Sequence, residues 1–329
     1  MASPAITKAI LLVGGKGTRL APHTDTTQKP MLRVAGKPVT EHQIVKAREA
    51  GITHLVLATS YLAEVFEPYF GDGSRFGLSI TYAVEKVPLG NGGAIANAAD
   101  QLKIAPDESI LVFNGDVLSG HDLKAQIALH QNRNADVTLY LTRVDDPRAF
   151  GCVPLDSQER VLEFLEKMEN PKVDTINAGC YIFNSAALAM IPRNTVVSVE
   201  REVFPALLAE DFDIFGYHDG RYWIDMGTPH SFVRASRDLV MQPEISSATV
   251  ITEEDFLAEP SSKIDSSAIV GGGSAIAAGA KIGSNSTVMG SIIGENVEIG
   301  EGTEIIDSYI AAGVKIPPLS SIRGQIVAI

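Results

Sequence analysis

Leu11-Leu12-Val13-Gly14-Gly15-Lys16-Gly17-Thr18-Arg19-Leu20 carries an apolar run straight into three glycines within four residues, and Lys29-Pro30 follows ten residues after the arginine. The run reads as a buried strand that stops abruptly. Glycines let a backbone approach a ligand closely and turn its N–H groups toward one point, which suits a chain of phosphates. Arg19 and Lys29 add fixed positive charge to the same region. Two familiar glycine loops fail on spacing. The triphosphatase loop needs Gly-Lys-Ser/Thr, and here Lys16 is followed by Gly17. The dinucleotide fingerprint needs a third glycine where Leu20 stands, and a carboxylate in the next strand. That strand, His54–Thr59, has none; Glu64 lies beyond it. A phosphate site remains, with a plain tight turn as the alternative.

Working outward, strands alternate with helical segments as far as residue 240. Ile6–Val13, His54–Thr59, Ile80–Val84, Ile110–Phe113 and Val137–Thr142 read as strands. Glu41–Ala50, Tyr61–Phe70, Gly92–Leu102 and Leu123–Asn132 read as helices, the last through Leu123, Ile127 and Leu129. Such alternation predicts an α/β fold with a doubly wound, mainly parallel Rossmann-like sheet, whose ligands sit beyond the carboxyl ends of its strands. Gly14–Arg19 and Asn114-Gly115-Asp116 both fall at such ends.

Residues 241–262 change character and read as a linker, with one possible short strand at Thr249–Thr252. Beyond it Ile264, Val270, Ile276, Ile282 and Val288 recur every six residues. After one slip Ile293, Ile299 and Ile305 continue, and after another Ile310, Ile316 and Ile322. A six-residue period with glycines at the corners predicts a short parallel β-helix. The expected domains are therefore 1–240, the linker 241–262, and a β-helix over 263–329. A short stack leaves an end that needs a cap or a partner, so a homo-oligomer, joined through the β-helix, is expected. No histidine follows His230, which argues against acetyl transfer on the coils.

Composition excludes several classes. The chain has 329 residues and a net charge of −13, which disfavours a nucleic-acid-coating surface. Residues 1–50 nevertheless carry eight Lys/Arg against three acids, a balance of +5 that leaves −18 for the remainder. That pattern fits a small anionic ligand held locally. No apolar run approaches 18 residues, so no membrane association is expected. The apolar stretch Ala9–Val13 is too short for a secretory leader, and a cytoplasmic location is the expectation. Cys152 and Cys180 have neither metal nor redox spacing, and the seven histidines form no paired zinc motif.

With these segments in place the chain resembles the sugar-nucleotide pyrophosphorylases, a nucleotidyltransferase family, and most closely its bacterial mannose-1-phosphate guanylyltransferases. The resemblance spans residues 6–240 and rests on the opening loop, Lys29-Pro30-Met31, Glu85 with Pro88-Leu89-Gly90, and Phe113-Asn114-Gly115-Asp116. It continues through Phe164-Leu165-Glu166-Lys167, Asn177-Ala178-Gly179, Ser198-Val199-Glu200-Arg201-Glu202 and Tyr222-Trp223-Ile224-Asp225-Met226-Gly227-Thr228-Pro229. Many members also end in a left-handed hexapeptide β-helix. The resemblance implies attack of a hexose 1-phosphate on a nucleoside triphosphate, releasing pyrophosphate. A phosphate nucleophile is already ionised, so the chemistry calls for cations, a metal and in-line alignment rather than a triad.

The same resemblance implies the roles. Arg19 and Lys29 neutralise the departing phosphates, while Leu12, Gly14, Gly15, Gly17 and Thr18 hold the triphosphate together with Pro88, Gly90, Asn114 and Gly115. Asp116 and Asp225 are the expected Mg²⁺ ligands, since hard carboxylate oxygens suit that ion. Lys167 holds the sugar phosphate, with Glu166, Asn177, Gly179 and Glu200 around the sugar. Ala21, His23 and Asn91 depart from the family's usual loops; Asn91 replaces a common threonine.

Glu85 ends its strand where relatives using other nucleotides carry glutamine. An ionised carboxylate only accepts hydrogen bonds, and guanine offers N1–H and N2–H₂ side by side. The expected substrates are therefore GTP and mannose 1-phosphate. Glucose-1-phosphate transfer with dTTP, UTP or ATP is the rival within the family, and a non-catalytic regulatory homologue the rival outside it.

Overall fold

The computed structural model describes residues 4–15, 28–60 and 63–328. They gather into two compact units, one of residues 4–15 and 47–223, the other of 28–46 and 224–328. The opening loop's Lys16, Gly17, Thr18, Arg19 and Leu20, with Ala21 and His23, lie outside the described residues.

The first unit is built on a nine-stranded sheet. Strands β1 (Lys8–Leu12), β2 (His54–Thr59), β3 (Ser79–Val84) and β4 (Ser109–Asn114) run parallel in the order β3-β2-β1-β4. β1, β2 and β4 are nearly continuous apolar runs because both faces of a parallel sheet are covered. Beyond β4 the sheet becomes mixed. Of β5 (Val137–Arg143), β6 (Gly151–Cys152), β7 (Leu165–Glu166), β8 (Thr175–Asn184) and β9 (Ile214–His218), β8 runs antiparallel to β4 and to β5, and β9 parallel to β5. The short β6 and β7 extend β8 as an antiparallel pair.

Helix α1 (Val39–Glu49) stands where Glu41–Ala50 was expected, and α2 (Gly90–Leu102) begins two residues before its expected start. Ile95, Ala96, Ala98, Ala99 and Leu102 of α2 join a core with Ile10, Val56, Val112, Tyr181, Phe183 and Phe204. Burying one such side chain as large as Ile95 stabilises the fold by about 1.5–3 kcal/mol. Helix α3 (Leu123–Arg133) forms as expected, but its buried face is Leu123, Gln126 and His130, with Ile127 only half-buried. The polar members are satisfied there. Gln126 Nε2 donates to the carbonyls of Thr138 and Cys180, and His130 pairs with Thr138 Oγ1 and Ser109 Oγ.

The helix expected over Tyr61–Phe70 does not form as one piece. Its described part holds a 3₁₀ turn, Ala63–Val65, and a single α-turn, Glu67–Phe70. Pro68 has no N–H and would clash with the carbonyl four residues back, so it can only open a new turn.

The second unit is dominated by a left-handed parallel β-helix, its coiling expected from the repeat and its hand from the family resemblance. Its three sheets are stacks of two- and three-residue parallel strands, one stack starting at Phe256–Ala258, one at Lys263–Ile264 and one at Ile269–Gly271. The recurring Ile276, Ile282, Val288, Ile293, Ile299, Ile305, Ile310, Ile316 and Ile322 fill its interior. Phe256–Ala258 pairs with Ser274–Ile276, so coiling begins inside the stretch expected to be a linker. Thr249–Thr252 is not a strand: Thr249 closes a turn onto Ser246, and no ladder is offered to Val250 and Ile251. Helix α4 (Pro229–Met241), which falls almost wholly within the domain expected over 1–240, packs on the coils: Phe232 meets Tyr309 edge-on and Arg237 pairs with Asp307.

The slips in the repeat have a structural cause. The register pairs Ile264 with Ile282 but then Ile282 with Ile299 and Ile299 with Ile316, so the coil shortens from 18 to 17 residues. The missing residue comes from one corner. At the first turn Gly272 and Gly273 both take positive φ, whereas one residue, Gly290, Asp307 or Gly324, suffices at each later turn. Inside that corner Ser274, Ser291 and Ser308 form a buried ladder in which each hydroxyl accepts from the backbone N–H of the residue one coil on.

Candidate active site

The ends of β1 and β4 lie side by side, with Leu12 in register with Asn114. The Gly115 N–H donates to the Leu12 carbonyl at 2.9 Å. A Cβ at Gly115 would come within 2.2 Å of that oxygen, so only glycine fits. On the other side of β1, Val13 N–H donates to Ala58, and a Cβ on Gly14 would sit 2.9 Å from Ser60 Oγ. Gly14 and Gly15 are thereby brought beside Asn114, Gly115 and the half-buried Asp116 at the carboxyl edge of the sheet. This is the edge at which open α/β sheets receive ligands.

Glu85 stands at the end of β3, its N–H donating to Thr59. Its Oε1 is buried and has no hydrogen-bond partner among the described residues. Burial raises the Glu85 carboxyl above the ordinary carboxylate range, offset in part by the backbone N–H of Leu89. A buried acceptor left unpaired costs about 1–3 kcal/mol. The following loop is laced to the segment before Glu200: Val197 N–H donates to the Leu89 carbonyl and Gly92 N–H to the Val197 carbonyl.

Opposite that loop, a bulge in β8 between Asn177 and Tyr181 brings two same-face side chains together, so that Asn177 Nδ2 donates to Tyr181 Oη at 2.9 Å. Gly179 supplies the positive φ within the bulge, and its N–H donates to Asn177 Oδ1. Glu200 lies in a short π-turn, Val199–Val203, whose N-cap is Ser198. Glu166 and Lys167 follow from the β6–β7 pair, where Glu166 is in register with Gly151. Lys167 takes φ of 53°, a left-handed conformation that non-glycine residues adopt uncommonly. Its Nζ lies 3.6 Å from Glu166 Oε1, and Arg201 Nη2 lies 3.9 Å from the same oxygen. Trp223 is fixed by donating to the Ala178 carbonyl at 3.0 Å and by meeting Phe150 edge-on.

The second unit carries its own pair. Lys29 is nearly buried, and its Nζ is 4.0 Å from Asp225 Oδ1. Among the described residues no three His, Cys, Asp or Glu side chains converge as a ready-made metal cage.

A family model described as nucleotidyl transferase matches residues 8–242. The chain belongs to the nucleotidyl transferase family. Among the relatives of this family member is the mannose-1-phosphate guanylyltransferase of Mycobacterium tuberculosis, 49% identical over 298 residues, which are 90% of this chain and 82% of that one. Another is a rice protein described as a probable mannose-1-phosphate guanylyltransferase, 32% identical over 96% of this chain and 81% of its own. The fold is shared with a Bacillus anthracis protein provisionally described as a glucose-1-phosphate thymidylyltransferase. That likeness has a TM-score of 0.65 at 25% identity, over 74% of this chain and 96% of that one. HddC from Yersinia pseudotuberculosis gives 0.61 at 25%, over 71% and 100%.

Sequence reasoning overlooked Tyr181, gave Ser198 and Arg201 no role beyond their place in a motif, and treated Asn91 only as a departure. A glycine inside a strand pattern, at Gly179, is the signal for the bulge that makes Tyr181 matter.

Proposed function

We propose that this nucleotidyl transferase converts GTP and mannose 1-phosphate into GDP-mannose and pyrophosphate. The observation that carries the choice of base is Glu85: its Oε1, buried and without a partner among the described residues, follows a parallel strand at the ligand edge. The N1–H and N2–H₂ of guanine supply the donors it lacks, whereas adenine or uracil would leave it badly paired. The 49% identity to a mannose-1-phosphate guanylyltransferase supports the same pair of substrates.

In this reading a phosphate oxygen of mannose 1-phosphate attacks the α-phosphorus of GTP, and the α–β anhydride bond breaks as pyrophosphate leaves. No general base is needed because the attacking oxygen is already ionised. Gly14 and Gly15 offer backbone amides to the triphosphate, and Lys29, with Arg19, opposes the charge of the leaving group. Lys167 holds the phosphate of the sugar phosphate, with Glu166, Asn177 and Gly179 at the sugar.

Asp116 and Asp225 are the carboxylates that would hold Mg²⁺. Hard oxygen donors, with no cluster of three ligands among the described residues, suit an ion that keeps waters and substrate phosphates in its shell. Bound there, the metal would supply charge neutralisation at the phosphates.

The test is pyrophosphate release from a panel crossing GTP, ATP, UTP and dTTP with mannose and glucose 1-phosphates. GTP with mannose 1-phosphate should turn over fastest. Turnover of dTTP with glucose 1-phosphate but not of that pair would overturn the proposal.

A further inference from the structure

Glu200 is surrounded by donors. Asn91 Nδ2 lies 2.8 Å from Oε2 and 3.1 Å from Oε1. The Tyr181 hydroxyl donates to Oε1 and the Ser198 hydroxyl to Oε2, each at 3.2 Å. Asn91 in turn accepts the Val199 N–H at 2.9 Å, which ties the loop after Pro88-Leu89-Gly90 to the turn that carries Glu200. An ionised carboxylate has about four acceptor sites, so this one is largely occupied from within the protein.

Tyr181 converts that saturation into an orientation. The residue is fully buried against Phe183 and Phe204. Its single proton goes to Glu200, so its oxygen accepts, from Asn177 at 2.9 Å and from Asn114 at 3.4 Å. With Gly179 N–H on its Oδ1, the Asn177 amide is fixed at both ends.

We propose that Glu200 and Tyr181 are positioning residues that set the amide orientation of Asn177 for the sugar, with Asn91 anchoring Glu200 to the nucleotide loop. The inference rests on the reading that Asn177 faces the hexose. It changes the role of Glu200: the carboxylate acts through Tyr181 rather than by contacting a sugar hydroxyl itself. Burial and the neighbouring Glu200 charge hold the Tyr181 hydroxyl protonated well beyond neutral pH, so the proton that sets the direction is always present.

The test compares the wild type with Tyr181→Phe, Glu200→Gln and the double variant, by steady-state kinetics with each substrate varied in turn and by thermal melting. Each single variant should raise KM for the hexose 1-phosphate about tenfold, the loss of one hydrogen bond near a charged group. KM for the triphosphate should stay within about twofold, a split that a general loss of structure would not produce. The preference for mannose over glucose 1-phosphate should narrow in both. The double variant should be no worse than the poorer single one, because the two act on one amide.

Equal rises in both KM values would overturn the proposal. So would additive losses in the double variant, which would place Glu200 on the sugar directly. Glu200→Gln alone carries the KM comparison if the phenylalanine variant does not fold. Should the wild type prefer another hexose 1-phosphate, the proposed function fails, while the same split and cycle measured with that sugar still judge this inference.

Discussion

Replacing Glu85 with glutamine tests base choice with almost no change of shape. In the structure one carboxylate oxygen takes the Leu89 backbone N–H while Oε1 is buried without a partner among the described residues. A glutamine must place its NH₂ at one of those two positions. If it faces the base, a donor meets the guanine donors; if it faces Leu89, two donors meet there instead. Either way one charge-assisted hydrogen bond is lost, worth about 1.5–3 kcal/mol. At 1.4 kcal/mol per tenfold, kcat/KM for GTP should fall by about 10- to 100-fold. An acceptor beside a donor suits the N3–H and carbonyl edge of uracil, so UTP should gain relative to GTP. Removing a buried charge should leave the melting temperature unchanged or slightly higher, since burial raises the Glu85 carboxyl. The assay is pyrophosphate release with GTP and UTP, beside a melting curve for each protein. An unchanged ratio of GTP to UTP in a folded variant would refute the assignment of Glu85 to the base.

Three further outcomes are expected. Asp116→Asn should lower turnover by about 100-fold or more while leaving the melting temperature near that of the wild type, as for loss of a transition-state contact of about 3 kcal/mol. Turnover retained at saturating Mg²⁺ would remove Asp116 from the metal site. His42 and His130 are buried and their pKa values fall from 6.5 to about 4, through desolvation in both cases. The unfolded chain binds these protons first, so stability is full above pH 6.5 and falls toward pH 4, by up to about 3 kcal/mol per histidine. Melting temperatures from pH 7 to 4.5 should show this decline, flattened in His130→Gln. Finally, Ser291→Ala should cost about 1–3 kcal/mol by orphaning the buried Ser308 N–H, measured by urea unfolding.

The sequence was most informative where chemistry or a period is local. The apolar runs of β1, β2 and β4 and the isoleucine repeat state their burial directly, because parallel strands and coil interiors admit little else. It was least informative where a polar residue is buried by virtue of a distant partner. Gln126 and His130 fall outside the apolar spacing that marks α3, and only Thr138, Cys180 and Ser109 make them core residues. Pro68 stands inside the helix expected over Tyr61–Phe70 and opens a new turn there instead. The candidate site followed the same rule. Glu85, Asp116, Glu166, Lys167 and Asn177 stood in motifs, whereas Tyr181 gains its role from Glu200, nineteen residues away, and from Asn114 across the sheet.

The serine ladder has a consequence for how the C-terminal unit changes length. Each hydroxyl hands its lone pair to the next coil in an identical way, and every 17-residue coil presents the same three edges above and below. Duplicating residues 291–307 would therefore lengthen all three sheets by one rung without creating a new kind of contact. Inserting five or six residues would instead rotate each later isoleucine onto a different wall of the triangle and break the serine column. Gains and losses in this region should come in whole coils, so chain length among relatives with such a domain should step in quanta of about 17 or 18 residues.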